Sequence, residues 1–141
     1  MRSWDLEREF EYLGEVDRAG KLAFLQSLDV MSVPATYQEP KGMFLFEAMA
    51  SGVPVVQPRR GAFPEIIENT GGGIIVEPDD PELLADGILE LWRDPARRAA
   101  LGAAGADGVR RHYSVARMAE AFEAVYEELR QRSDRTAGRG S

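Results

Sequence analysis

The chain has 141 residues, with 17 Lys and Arg against 24 Asp and Glu for a net charge of −7, 44% hydrophobic residues and no cysteine. That is enough for one domain with its own core, and it excludes a disulfide framework, a thiolate metal site and a cysteine nucleophile. The acidic balance argues against a broad nucleic-acid face, and with no membrane-length apolar run and no signal-peptide layout in Met1-Arg2-Ser3-Trp4-Asp5 the expected compartment is the cytoplasm.

Short apolar runs alternate with amphipathic stretches, the pattern of a Rossmann-like α/β domain whose parallel sheet carries helices on both faces. Residues 10–13 read as a short strand closed by Gly14, and 16–28 as a helix that turns Leu22, Phe24 and Leu25 toward the sheet. Residues 30–33 form the next strand, stopped by Pro34. A polar loop covers 35–41, and 42–50 read as a helix closed by Gly52 with Pro54 beyond it. The strands at 53–56 and 73–76 are continuous apolar runs, as strands buried on both faces should be.

The last third is helical. Asp80-Pro81 and Asp94-Pro95 each set an N-cap before a proline at the first helical position, and start helices reaching about residues 93 and 112. Ser114 caps a final helix, whose stripe of Val115, Met118, Phe122, Val125, Tyr126 and Leu129 keeps helical spacing and is assigned to the core. The tail 133–141 has nothing to bury and is expected to be disordered, which leaves the domain at 1–132. His112, at a helix junction, is assigned a structural role.

Ligands of open parallel sheets bind outside the carboxyl ends of the strands, so the loops 35–41 and 57–63 and the stretch after Val76 carry the chemistry. The first is the most informative. The amides of Gly42, Met43, Phe44 and Leu45 open a helix without intrahelical partners, which makes them a ready site for an anion such as a diphosphate. Glu39 lies in the loop before them, and Glu47, a turn and a half into the helix, leans back toward its N-terminus. An ionised carboxylate only accepts hydrogen bonds, so it suits vicinal hydroxyls, which a nucleotide sugar offers on both sides of its diphosphate. Two carboxylates near a phosphate need compensating cations: Lys41 is the candidate, with Arg59 and Arg60 as weaker ones, although a solvated position is as compatible with all three. Glu65 either buttresses the loop after Val56 or starts a helix.

Glu39, seven residues, Glu47 and then Ala48-Met49-Ala50-Ser51-Gly52-Val53-Pro54-Val55-Val56 resemble the signature of group 1 (family 4) glycosyltransferases, retaining enzymes with two Rossmann-like domains in the GT-B architecture. Further motifs follow in the family's order: Phe10-x-Tyr12-Leu13-Gly14, Leu28-Asp29-Val30, Gly61-Ala62-Phe63-Pro64-Glu65, Gly73-Ile74-Ile75-Val76 and His112-Tyr113-Ser114. The resemblance spans about residues 8–130. It implies that Glu39 stands at the catalytic position and contacts the donor sugar, that Glu47 takes the ribose hydroxyls, and that Gly42 and its successors approach the diphosphate. It implies no metal and no cofactor, the nucleotide diphosphate sugar being a substrate. This chain has Pro40-Lys41-Gly42 where the family commonly has Gly-Phe-Gly, and Phe44 in place of the following proline.

The resemblance also implies an N-terminal acceptor domain, two further strands and a basic pair for the diphosphate that precede this chain. The parent enzyme would transfer a sugar to a glycan, lipid or small-molecule hydroxyl, while the chain alone would bind donor weakly and turn nothing over. Without those strands the sheet should have an open edge beside 30–33, closed by a shifted 10–13 strand or by a homo-oligomer. The competing reading is a non-catalytic α/β nucleotide-binding or interaction module derived from such an enzyme; an epimerase or phosphorylase fits less well because those lack this Glu-pair context.

Overall fold

The computed structural model describes residues 8–137, with side chains to residue 132. It is a mixed α/β fold built on a two-stranded parallel sheet, β1 (Val55–Pro58) and β2 (Gly73–Val76), with Val55 paired to Gly73 and Pro58 to Val76. Helices α1 (Arg18–Ser27) and α2 (Met43–Ala50) precede β1, α3 (Phe63–Thr70) crosses from β1 to β2, and α4 (Pro81–Arg93), α5 (Pro95–His112) and α6 (Val115–Ala137) follow.

Strand alternation assigns the two faces of the sheet. Val55 joins a core of Leu25, Leu45, Ala48, Met49, Phe63 and Ile66, contributed by α1, α2 and α3. Val56 points the other way, against Gly87 of α4, as do Ile74 and Val76. Leu45, Met49, Phe63, Val55, Val56 and Leu91 are fully buried, and each such side chain contributes roughly 1.5–3 kcal/mol of transfer free energy. The helix starts follow the punctuation in the sequence. Asp80 accepts from the amides of Glu82 and Leu83 at 3.0 Å, and Asp94 from that of Arg97 at 2.9 Å, each with proline in the first turn. Glu65 sits in the first turn of α3, where a carboxylate suits the helix dipole.

Five of the expected elements differ. Residues 10–13 form no strand: Phe10, Tyr12 and Leu13 lie exposed in an irregular segment with no neighbouring strand among the described residues to pair with, so the shifted strand that would close the sheet edge is not formed. Residues 30–33 run parallel to β1 but contribute a single bridge, Met31 to Val55, held by Met31 N to Pro54 O and Val56 N to Met31 O, both 3.0 Å. The pairing stops there because the next inward amide, Val33 N, donates to the side-chain oxygen of Gln57 at 3.2 Å, in place of a backbone carbonyl. β1 continues through Gln57 because its backbone stays in the parallel ladder with β2, Gln57 opposite Ile75, and the residue is fully buried despite its polarity. In α1 only Leu25 is buried, while Leu22 and Phe24 remain exposed.

The largest correction concerns α6. Its stripe of Val115, Met118, Phe122, Val125, Tyr126 and Leu129 is not core: each of these side chains is at least 53% exposed, because no other described element packs extensively on the helix. The helix is described through Ala137, and residues 138–141 of the expected tail lie outside the described residues.

Candidate functional site

Gly42 precedes α2 as its N-cap in a left-handed conformation with φ of 61°, and it is buried so tightly that a Cβ there would lie 2.9 Å from Ile66 Cδ1. This turn folds residues 39–42 back on themselves. The Glu39 carboxylate accepts from the amide of Gly42 at 2.9 Å and from that of Lys41 at 3.1 Å through one oxygen, and from the Tyr37 hydroxyl at 3.1 Å through the other. The Gly42 amide first and the Lys41 amide second hold its pKa below the usual carboxylate range, against some desolvation, with the smallest contribution from Tyr37. The same contact raises the Tyr37 hydroxyl, which donates to a negative group. Glu39 is therefore ionised at neutral pH and can only accept. A proton-donating role is closed to it, while hydroxyl donors suit it.

That arrangement changes the anion site expected at the start of α2. Of the four amides, Gly42's is taken by Glu39, and Leu45's by the Gly42 carbonyl at 2.9 Å. The amides of Met43 and Phe44 have no acceptor among the described residues. An incoming phosphate would thus meet two amides and one carboxylate. The side chains of Phe44 and Leu45 face inward, Phe44 edge-on to Phe63 at 5.8 Å and Leu45 fully buried, so of the two only Phe44 has something to offer a ligand, its backbone amide.

The loop after β1 backs the Glu39 turn. Ala62 N donates to Glu39 O at 2.8 Å, and Gly61 N to the Gln38 side chain at 2.6 Å. Gly61 has φ of 51°, and a Cβ on it would come within 2.1 Å of Glu39 O. Arg59 and Arg60 do not face the α2 amides: Arg59 pairs with Glu77 at 3.2 Å and Arg60 with Asp79, both acids lying just beyond β2. Lys41 is exposed and has no ion-pair partner among the described residues, which leaves it as the cation nearest the α2 N-terminus in sequence.

Glu47 lies on the flank of α2 that faces α1. Its carboxylate accepts from Lys21 Nζ at 2.6 Å, and both side chains line a cleft of about 670 Å³ together with Val16, Arg18, Leu22 and Ser51. Glu39 is not among the lining residues, so the two carboxylates serve the two ends of the motif with separate partners. A smaller cleft of about 250 Å³ lies at the carboxyl ends of the strands, beside Pro34, Pro58 and Asp79. Among the described residues no group of His, Asp or Glu is arranged to hold a metal, and no helix is long and apolar enough to cross a membrane. Sequence reasoning missed Lys21, Tyr37 and Gln38. Tyr37 and Gln38 lie within two residues of Glu39 and could have been found as local partners, whereas Lys21 is distant in sequence and carried no such signal.

Residues 1–107 match the family model described as glycosyl transferases group 1. The phosphatidyl-myo-inositol mannosyltransferase of Mycobacterium leprae is 38% identical over 122 residues, which cover 86% of this chain and 32% of that protein. The chain thus spans about a third of the length of the curated relatives it matches. Among solved structures, sucrose-phosphate synthase from Thermosynechococcus elongatus superposes with a TM-score of 0.81 at 27% identity, covering 91% of this chain and 32% of that one. The HepE protein of Anabaena, solved in complex with UDP, gives 0.77 at 26% identity, covering 89% and 34%. The ordered motifs, the GT-B type α/β fold and the family match over residues 1–107 agree, and the chain belongs to the group 1 glycosyl transferases.

Proposed function

We propose that this chain is the donor-holding part of a retaining glycosyltransferase that takes a sugar from a nucleoside diphosphate sugar and passes it to an acceptor hydroxyl. In this reading Glu47 accepts from the ribose hydroxyls in the cleft between α1 and α2, the Met43 and Phe44 amides with Lys41 meet the diphosphate, and Glu39 accepts from the sugar. The observation that carries it is the Glu39 turn: a carboxylate held ionised at a helix N-terminus beside two unused amides. The cleft volume of about 670 Å³ is within the range of nucleotide-sized sites. Catalysis would rest on positioning and on stabilising the leaving diphosphate, with no metal. UDP bound to a structural neighbour and the GDP-mannose named for a corynebacterial relative make both nucleotides worth testing.

Calorimetric titration of the chain with UDP and GDP should show binding of at least one. Replacing Glu47 by alanine should weaken that binding roughly tenfold, the loss expected for a partly exposed charge-assisted contact. Equal affinity of the variant would remove Glu47 from the site. Sugar transfer by the 141-residue chain alone would overturn its assignment as the donor-holding part only.

A further inference from the structure

Lys21 reaches Glu47 from a different helix and from 26 residues away in sequence, and the two meet inside the cleft assigned above to the nucleoside. Resting on that assignment, we infer that Lys21 is a positioning residue: it holds the Glu47 carboxylate in the orientation that accepts the vicinal hydroxyls of a ribose.

The geometry supports this through what it occupies and what it leaves open. Lys21 Nζ takes Oε1 of Glu47 at 2.6 Å, while Oε2 has no partner among the described residues. A carboxylate offers about four lone-pair sites, so the remaining ones can meet two adjacent hydroxyl donors while the ammonium stays in place. A glutamate in the middle of a short helix otherwise has several rotamers open to it, and holding one of them lowers the entropy lost when a diol binds. The pair is accessible, with side chains 45% and 41% exposed, so a ligand reaches it without rearrangement of the core.

Its surroundings distinguish it from the other ion pairs among the described residues. Arg59 with Glu77, Arg111 with Asp107 and Arg117 with Glu120 line none of the clefts as pairs. Lys21 and Glu47 face each other across one, between apolar walls of Val16, Leu22 and Leu25, where a planar base would find contact. Asp17, which opens the same cleft, is already committed: it caps α1 by accepting from Gly20 N at 2.8 Å. Asp17 thus fixes the start of α1, and α1 fixes the height of Lys21 against Glu47.

The test measures sugar discrimination as well as affinity. UDP, 2′-deoxy-UDP, GDP and 2′-deoxy-GDP are titrated into the 141-residue chain and into Lys21→Met and Lys21→Arg. The unaltered chain should prefer ribose over deoxyribose by at least roughly tenfold, as loss of one hydrogen bond to a charged acceptor predicts. Lys21→Met should still bind, with that preference reduced to about twofold or less, and Lys21→Arg should restore most of it. A lysine with only a structural role would weaken both sugars equally. Undiminished ribose preference in Lys21→Met, or an equal loss for both sugars, overturns this inference while the donor-site reading stands. Binding of neither nucleotide to the unaltered chain overturns both.

Discussion

Gly102→Ala is expected to destabilise the chain by about 2 kcal/mol, although alanine in a helix interior normally gains about 1 kcal/mol over glycine. The sign is set by what lies against α5. A Cβ at Gly102 would stand 2.2 Å from the carbonyl oxygen of Gly52, and one at Gly108 would stand 2.5 Å from Thr70 Cα. The obstructing atoms are backbone on both sides, so no rotamer change relieves the overlap. α5 would have to move away from the turns it covers, separating it from α2 and α3, its two main packing partners. Urea unfolding should show a lower midpoint with an unchanged slope. A midpoint raised by the better helix former would show that this approach is not tight.

Gly61→Ala should act on the site as much as on stability. At φ of 51° any side chain carries a backbone cost of about 1–2 kcal/mol, and the added Cβ would overlap Glu39 O at 2.1 Å and Glu39 N at 2.5 Å. The turn that holds the Glu39 carboxylate on the amides of Gly42 and Lys41 would be displaced. Nucleotide-sugar binding should fall by at least roughly tenfold, since misplaced polar groups are left unpaired. The Glu39 pKa, now held down by those amides, should rise toward the ordinary carboxylate range, as read by an NMR titration. The linkage follows from that direction. A depressed folded-state pKa contributes stability above the unfolded value and loses it as pH falls through the folded one. Stability of the unaltered chain should therefore drop on the acid side through Glu39, and Gly61→Ala should lack that component. An unchanged Glu39 titration in a folded Gly61→Ala chain would sink the clamp.

Local chemistry was legible in the sequence, and long-range packing was not. The starts of α4 and α5 follow from Asp80-Pro81 and Asp94-Pro95 because an N-cap acts within three residues of itself. The bounds of α2 follow in the same way, from Gly42 before it and Gly52 after it. Residues 10–13 and 30–33 have strand-like composition, yet a strand needs a neighbour. The first has none among the described residues, and the second loses its ladder to the side chain of Gln57. Buried Gln57 reads as the first residue of a loop in sequence and lies inside β1 in the fold. At the site, the turn of Glu39 into the first amides of α2 was partly foreseeable, since both lie in one loop. The supports from Gly61 and Lys21 were not, because both come from other segments brought near only by the folded chain.

The unpacked state of α6 bears on how this chain melts. A helix of 23 residues, about 35 Å long, with no extensive tertiary contact draws its stability from internal pairs such as Arg130 with Glu127, each contributing only about 0.2–0.5 kcal/mol. It has no share in the cooperative transition of the sheet and its covering helices. Circular dichroism on heating should then record a sloping loss of helix from α6 ahead of one sharp step from the remainder, and a single midpoint fitted to that trace would average two separate equilibria.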